Sequence, residues 1–231
     1  MKFEVKPYGI DSVFLEFGNN INFLTHKKVK GLYHSLRKYS KSGIKSVIPS
    51  YCALTILFEP SLISLVDVVN LSSELLDNIN NDEDAFYLVR IPVCYDHKYA
   101  IDWEEVCEYT GKKWEEIISL HTKKRYLVYM LGFVPGFLYL GSLPTELEIP
   151  RKKVPRLKVE MGSVGLADNQ TGIYPMEIPG GWQIIGRTPL DLINNSDMAI
   201  EMGDYIEFYQ ISKKEFNENS FKIKRLLLND N

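Results

Sequence analysis

Nine of the chain's fifteen glycines and seven of its eleven prolines fall between Leu131 and Pro189, interleaved with Arg, Tyr, Phe and Trp. Glycine opens backbone angles closed to other residues and proline fixes φ, so this punctuation demands many tight turns and excludes a long helix from the stretch. Turns that display polar and aromatic tips form binding surfaces. The segment is therefore the candidate functional region.

The rest of the sequence sets wider bounds. A chain of 231 residues is long enough for one large domain or two smaller ones. With 45% hydrophobic and 25% charged residues it has an ordinary globular composition. A formal net charge of −3 gives no basic surplus for nucleic acid, so Lys27, Lys28, Lys30 and Arg151, Lys152, Lys153 read as solvated faces. The N-terminus alternates polar and apolar residues rather than presenting the apolar segment of a signal peptide, and no segment reaches a membrane span. Cys52, Cys94 and Cys107 are odd in number and lack CxxC spacing, which fits buried thiols in a reduced, cytoplasmic protein.

Periodicity divides the chain at about residue 84. Phe3 to Tyr8 and Val13 to Phe17 alternate as a hairpin around Gly9-Ile10-Asp11. Val29, Leu32, Tyr33 and Leu36 mark one helix face, ended by Gly43, and the strands Ile44 to Ile48 and Ala53 to Phe58 follow. A second helix carries Leu62, Leu65, Val66, Val69 and Leu76 behind an expected N-cap at Ser61, and Asn78 to Asp84 reads as a linker. This order predicts a ferredoxin-like α+β domain over residues 1–84. His26 and His34 read as helix-surface residues without metal-binding spacing, and no metal site is expected anywhere in the chain.

Residues 85–231 read as a mainly-β barrel or sandwich. Strand Phe86 to Tyr95 comes first. A short helix through Val106 to Tyr109 follows, with Asp102 and Glu105 resembling a capping box, and a second helix places Trp114, Ile117, Ile118 and His121 on one face. Strands and turns then run from Tyr126 to the final alternation Tyr205 to Ile211.

Candidate chemistry clusters in this half. Arg151, Arg156 and Arg187 stand among the turns, where guanidinium forks either hold a small anion bidentately or pin loops within the domain. Gln170, Thr171 and Tyr174 surround Gly172 and offer either a site for an amide or carboxylate, or a turn with internally satisfied side chains. Ser163 resembles a nucleophile elbow only superficially. Gly180 and Gly181 before Trp182 either present backbone N–H groups to a developing negative charge or form a tight hairpin. His121 is either a general acid or base or a helix-end residue packed under a loop. The chain carries no GxxxxGK[ST], GxGxxG or HExxH motif, so it brings no recognisable nucleotide or metal site of its own.

The segments GFVPGFLYLGSLP, IPRKKVPR, GSVGLADNQTGIYP and PGGWQIIGRTPL, with IPVCYD, DWEEVCEYTG and IISLHTKKRYLVYMLG upstream, resemble the family containing the B-type subunit of 5-oxoprolinase, allophanate hydrolase subunit 1 and the sporulation kinase inhibitor KipI. The resemblance implies a small α+β domain followed by a cyclophilin-like β-barrel. It implies one component of a heteromeric, ATP-dependent 5-oxoprolinase that opens the lactam of 5-oxo-L-proline to L-glutamate and is not active alone. A C-type partner subunit and an A-type subunit would complete the complex, with ATP bound by or shared with a partner. In that setting His121, Gln170 and Tyr174 would be catalytic, while Arg151, Arg156, Ser163, Thr171, Gly180, Gly181 and Arg187 would bind substrate. Two other functions accompany the resemblance. One is a KipI-like inhibitor gripping a sensor histidine kinase through Phe133, Phe137, Tyr139 and Trp182, and the other is a carboxyl-transfer or allophanate-hydrolase-type module. The chain departs from the family pattern at Glu160-Met161 and Asp168-Asn169, where relatives commonly carry Pro-Ala and Gly-Gly, and this bears on which substrate it takes.

Overall fold

A computed structural model describes residues 2–39, 43–79, 86–193, 200–218, 220–221 and 225–228. The chain forms two compact units, Met1–Asp84 and Ala85–Asn231. In the first, strands β1 (Glu4–Pro7) and β2 (Ser12–Glu16) form the expected hairpin, with Glu4 opposite Glu16 and Pro7 opposite Val13. Helix α1 (Phe23–Arg37) follows, capped by the Asn22 side chain, which accepts from the Thr25 N–H at 2.9 Å. Strands β3 (Ile44–Pro49) and β4 (Ala53–Phe58) and helix α2 (Leu65–Asp77) complete the unit. Val29, Leu32 and Leu36 of α1 share one core with Val13, Leu15, Leu54, Ile56 and Phe58 of the sheet.

The expectation of a ferredoxin-like domain is overturned by the sheet. Its order is β1-β2-β4-β3 with every neighbouring pair antiparallel. A ferredoxin-like domain is built β-α-β-β-α-β. Here the edge beside β2 is taken by the N-terminal hairpin strand, and no strand of this unit follows α2 among the described residues. Alternation shows that a segment is a strand but not which neighbour it joins, so the elements were legible and their connection was not.

Two local readings also change. Ser64, not Ser61, caps α2, its hydroxyl accepting from the Asp67 N–H at 3.1 Å, which leaves Leu62 and Val66 exposed. His26 is buried in α1 rather than on its surface, while His34 is exposed. Of the expected linker, residues 80–84 lie outside the described residues.

The second unit opens with β5 (Phe86–Cys94), α3 (Trp103–Thr110) and α4 (Trp114–Lys123). Gly111 ends α3 in the left-handed conformation, and α4 buries Trp114, Ile117, Ile118 and His121 along one face, as their spacing predicts. Strands β6 (Arg125–Leu131), β7 (Leu138–Gly141), β8 (Arg156–Val159), β9 (Ser163–Ala167), β10 (Gln170–Ile173), β11 (Ile178–Gly180), β12 (Gln183–Arg187) and β13 (Tyr205–Ile211) follow, then α5 (Lys213–Glu218) and β14 (Arg225–Leu228).

Seven of these strands close into a barrel in the order β12-β9-β10-β7-β6-β13-β5, and β5 returns to β12 where Cys94 meets Arg187. The expected barrel is therefore present. Strand β14 pairs with the first part of β5, outside the ring, and β8 with β11 forms a separate two-stranded ribbon. No helix among the described residues is long and apolar enough to cross a membrane.

Closure at β5 and β12 depends on Gly186. A Cβ there would stand 2.7 Å from the Val93 Cγ1 and 3.0 Å from the Cys94 carbonyl oxygen. Gly186→Ala is expected to lower unfolding stability by about 1–3 kcal/mol, read as a lower urea midpoint, because the strands must part to admit the methyl group. An unchanged midpoint would show that the seam tolerates extra volume.

Candidate functional site

The end of β11 and the two residues that lead from it into β12 build one side of a cleft of about 210 Å³. Its walls are aromatic: Phe137, Tyr139, Tyr174 and Trp182, with Phe133 at the lip. Phe137 lies edge-on to Tyr174 at 5.1 Å and to Trp182 at 5.5 Å, and Tyr139 meets Trp182 at 5.9 Å. Such edge-to-face contacts fix ring orientations. Arg151, Lys152, Pro155, Pro179, Gly180 and Gly181 complete the lining. Phe133 is 66% exposed and holds a φ of 68°, a left-handed conformation rare for a bulky residue.

Tyr174 is almost fully buried. Burial pushes its phenol up to about 12, against opposing effects from a Trp182 backbone hydrogen bond and the charges of Arg151 and Arg156. It therefore keeps its proton at neutral pH. Gly180 is required beside it, since a Cβ there would collide with the Tyr174 hydroxyl.

Beneath the cleft lies a charge cluster. Asp102, 3% exposed, accepts from Lys152 Nζ at 2.9 Å, from Arg156 Nη2, and from the Ile184 backbone N–H at 2.6 Å. Lys152 also donates to Glu105 and to Gln183 Oε1 at 3.1 Å, and Gln183 Nε2 donates to Glu105 at 3.0 Å. Burial opposes the charge on Lys152, but its bonds to Glu105 and Asp102 outweigh that and raise its pKa. The Lys152 bond in turn lowers that of Glu105. Asp102 makes no capping bond to α3, so the expected capping box is corrected: the carboxylate is committed to cations some fifty positions away instead.

The structure thus gathers Arg151, Tyr174, Gly180, Gly181, Phe133, Phe137, Tyr139 and Trp182 around one cleft. The other candidates lie elsewhere. Arg156 is held by Asp102, and Arg187 pins a loop by donating to the Met161 carbonyl at 2.7 Å and pairing with Glu160. Ser163 stands opposite Arg187 on β9, and Gln170 begins β10, at the end away from Tyr174. Of the aromatic partner-binding candidates, Phe137 and Trp182 are buried and Phe133 is exposed. Both acidic departures meet arginines, Glu160 on Arg187 and Asp168 on Arg151 at 3.4 Å.

His121 and Thr171 are inside the barrel core. The Thr171 hydroxyl donates to the Gly165 carbonyl and so accepts from His121 Nε2–H at 3.0 Å, leaving Nδ1 to accept from the Tyr95 hydroxyl at 2.7 Å. The ring also stacks on Phe208 at 4.6 Å. Sequence reasoning missed Lys152, Pro155 and Pro179 as lining residues and Asp102, Glu105 and Gln183 beneath them. Only the density of Pro and Gly around residues 150–156 and 179–181 signalled the place.

Comparison with known proteins follows the same outline. Residues 3–201 match the family described as carboxyltransferase domain, subdomain C and D. The chain is 35% identical to the B-type subunit of 5-oxoprolinase from Bacillus subtilis (strain 168), over 94% of this chain and 96% of that protein. It is 32% identical to the corresponding 5-oxoprolinase component of Escherichia coli O157:H7, over 87% and 92%. Among solved structures, TTHA0988 superposes with a TM-score of 0.77 at 30% identity over 87% of this chain, which spans 40% of that longer one.

Burial lowers the His121 pKa from 6.5 to about 3. The unfolded chain binds this proton more readily, so the stability gained by keeping the ring neutral is present above pH 6.5 and lost as pH falls towards 3. Urea unfolding is expected to lose up to about 1.4 kcal/mol per pH unit through this group. His121→Gln should flatten the slope between those limits. Parallel curves for the two proteins would assign the acid sensitivity to other groups.

Proposed function

The chain belongs to the carboxyltransferase-domain family of subdomains C and D, and from that premise we propose that it is the B-type subunit of an ATP-dependent 5-oxoprolinase, working with partner subunits to convert 5-oxo-L-proline to L-glutamate. The observation that carries the reading is the cleft itself. It joins an aromatic enclosure for a small ring to a guanidinium at the mouth, the chemistry suited to a lactam bearing a carboxylate.

Within the cleft Arg151 would hold the substrate carboxylate. Its present partner Asp168 is 61% exposed, and such surface pairs are worth about 0–1 kcal/mol, so an incoming carboxylate can replace it. Tyr174, which retains its proton, would donate a hydrogen bond to the lactam oxygen, and the ring would lie among Phe137, Tyr139 and Trp182.

The lining contains no carboxylate, imidazole, thiol or aliphatic hydroxyl among the described residues. It therefore binds and orients, while a base for the attacking water comes from a partner. The cleft is also a poor host for a triphosphate, because Lys152 and Arg156 are already met by Asp102 and Glu105. ATP is accordingly assigned to a partner.

The test is glutamate release from 5-oxo-L-proline and ATP by the assembled complex, with each chain omitted in turn. Activity should vanish without this chain, and Arg151→Ala should lower kcat/KM by about 10–100-fold, mainly through KM, with a nearly unchanged urea midpoint. An assembled complex that releases no glutamate would overturn the substrate assignment.

A further inference from the structure

We propose that Asp102 is the positioning residue of the cleft, a role that in its kinetic consequence rests on the oxoprolinase reading above. Asp102 does not line the cleft, yet it joins the two segments that do. One is the run from Arg151 to Pro155. It is held because Asp102 binds Lys152 Nζ at 2.9 Å and the guanidinium of Arg156, on either side of Val154 and Pro155. The other is the run from Pro179 to Trp182, which leads directly into β12. There Asp102 makes a two-point clamp: its carboxylate accepts from the Ile184 N–H at 2.6 Å, and its own N–H donates to the Ile184 carbonyl at 3.1 Å.

The two segments meet independently where the Lys152 N–H donates to the Gly181 carbonyl at 2.7 Å and where Arg156 stands opposite Gly180 in the ribbon. The buried carboxylate adds to these backbone contacts a side-chain anchor on both segments, and so helps to set the spacing between Arg151 at the mouth and Trp182 at the wall. Glu105 shares Lys152 and reaches Gln183, but it is 53% exposed and makes no backbone bond to β12. Both carboxylates pair with Lys152, but only Asp102 also holds Ile184 through two backbone bonds. A positioning role makes Asp102 distinct.

The comparison is Asp102→Asn against Glu105→Gln, since each removes one negative charge and keeps the side-chain shape. Hydrogen exchange on the full chain is read at the Lys152 and Ile184 amides, and kinetics are measured in the assembled complex. Asp102→Asn is expected to speed exchange at both amides about tenfold and to raise KM for 5-oxo-L-proline about tenfold with kcat within about threefold. Glu105→Gln should change each by less than about threefold. Unchanged exchange in Asp102→Asn, or an equal rise of KM in both variants, would overturn the proposal. An inactive wild-type complex would sink the oxoprolinase reading alone, and exchange would then decide the role of Asp102.

Discussion

Closure of the barrel at a single seam, where β12 meets β5 at Arg187 and Cys94, is the constraint from which the geometry of the cleft follows. Strand β5 pairs in parallel with β13 along seven residues, so its other edge must be satisfied by β14 at its start and by β12 at its end. An open end there would leave backbone groups unpaired inside the protein. The approach is close enough that Gly186 has no room for a methyl group. Because β12 begins one residue after Trp182, fixing the seam also fixes the direction from which the indole enters the cleft.

Charge placement then separates scaffolding cations from one able to meet a ligand. Lys152 and Arg156 share Asp102, whose side chain is 3% exposed, and breaking a pair of that kind leaves an uncompensated buried charge at a cost of about 3–5 kcal/mol. They are held too firmly to exchange partners. Arg187 is committed to a carbonyl and to Glu160 across a loop. Arg151 is different: both members of its pair with Asp168 are more than half exposed, so water already screens the attraction. Of the three arginines singled out by sequence, the one at the cleft mouth is thus the one that can change partners.

Much of this was legible in the sequence, for identifiable reasons. Helix α4 emerged because Trp114, Ile117, Ile118 and His121 recur at helical spacing, and the barrel emerged because Gly and Pro forbid anything but short elements after Leu131. Tyr174, Gly180, Gly181 and Trp182 share one cleft, and the turns that display them are written in Gly and Pro. What failed was long-range. The ferredoxin-like arrangement fell because alternation does not specify which strands pair, and Asp102 was read as a helix cap because its true partners lie some fifty and eighty residues away. Ser61 was displaced as a cap by Ser64, a shift of one turn that local patterning does not resolve. His26, expected on the helix surface, is buried through tertiary packing that its local pattern did not signal.

The division of polar chemistry within the unit explains why an activity built on this cleft would be shared between chains. His121, inside the barrel, is locked in a neutral tautomer between Tyr95 and Thr171, its pKa pushed far below physiological pH by burial. Its place there stiffens the core but keeps it from reaching a ligand. The group that does border the cleft, Tyr174, has been moved the opposite way by the same effect, so it holds a proton that it can share but not readily release. Desolvation thus removes the acid–base capacity of both residues near neutral pH while preserving their hydrogen bonds. A cleft lined by aromatic rings, one guanidinium and a protonated phenol can orient a small ring but carries no base in its own lining. On the proposed reading, the other half of a hydrolytic site would be a titratable group delivered from outside the cleft.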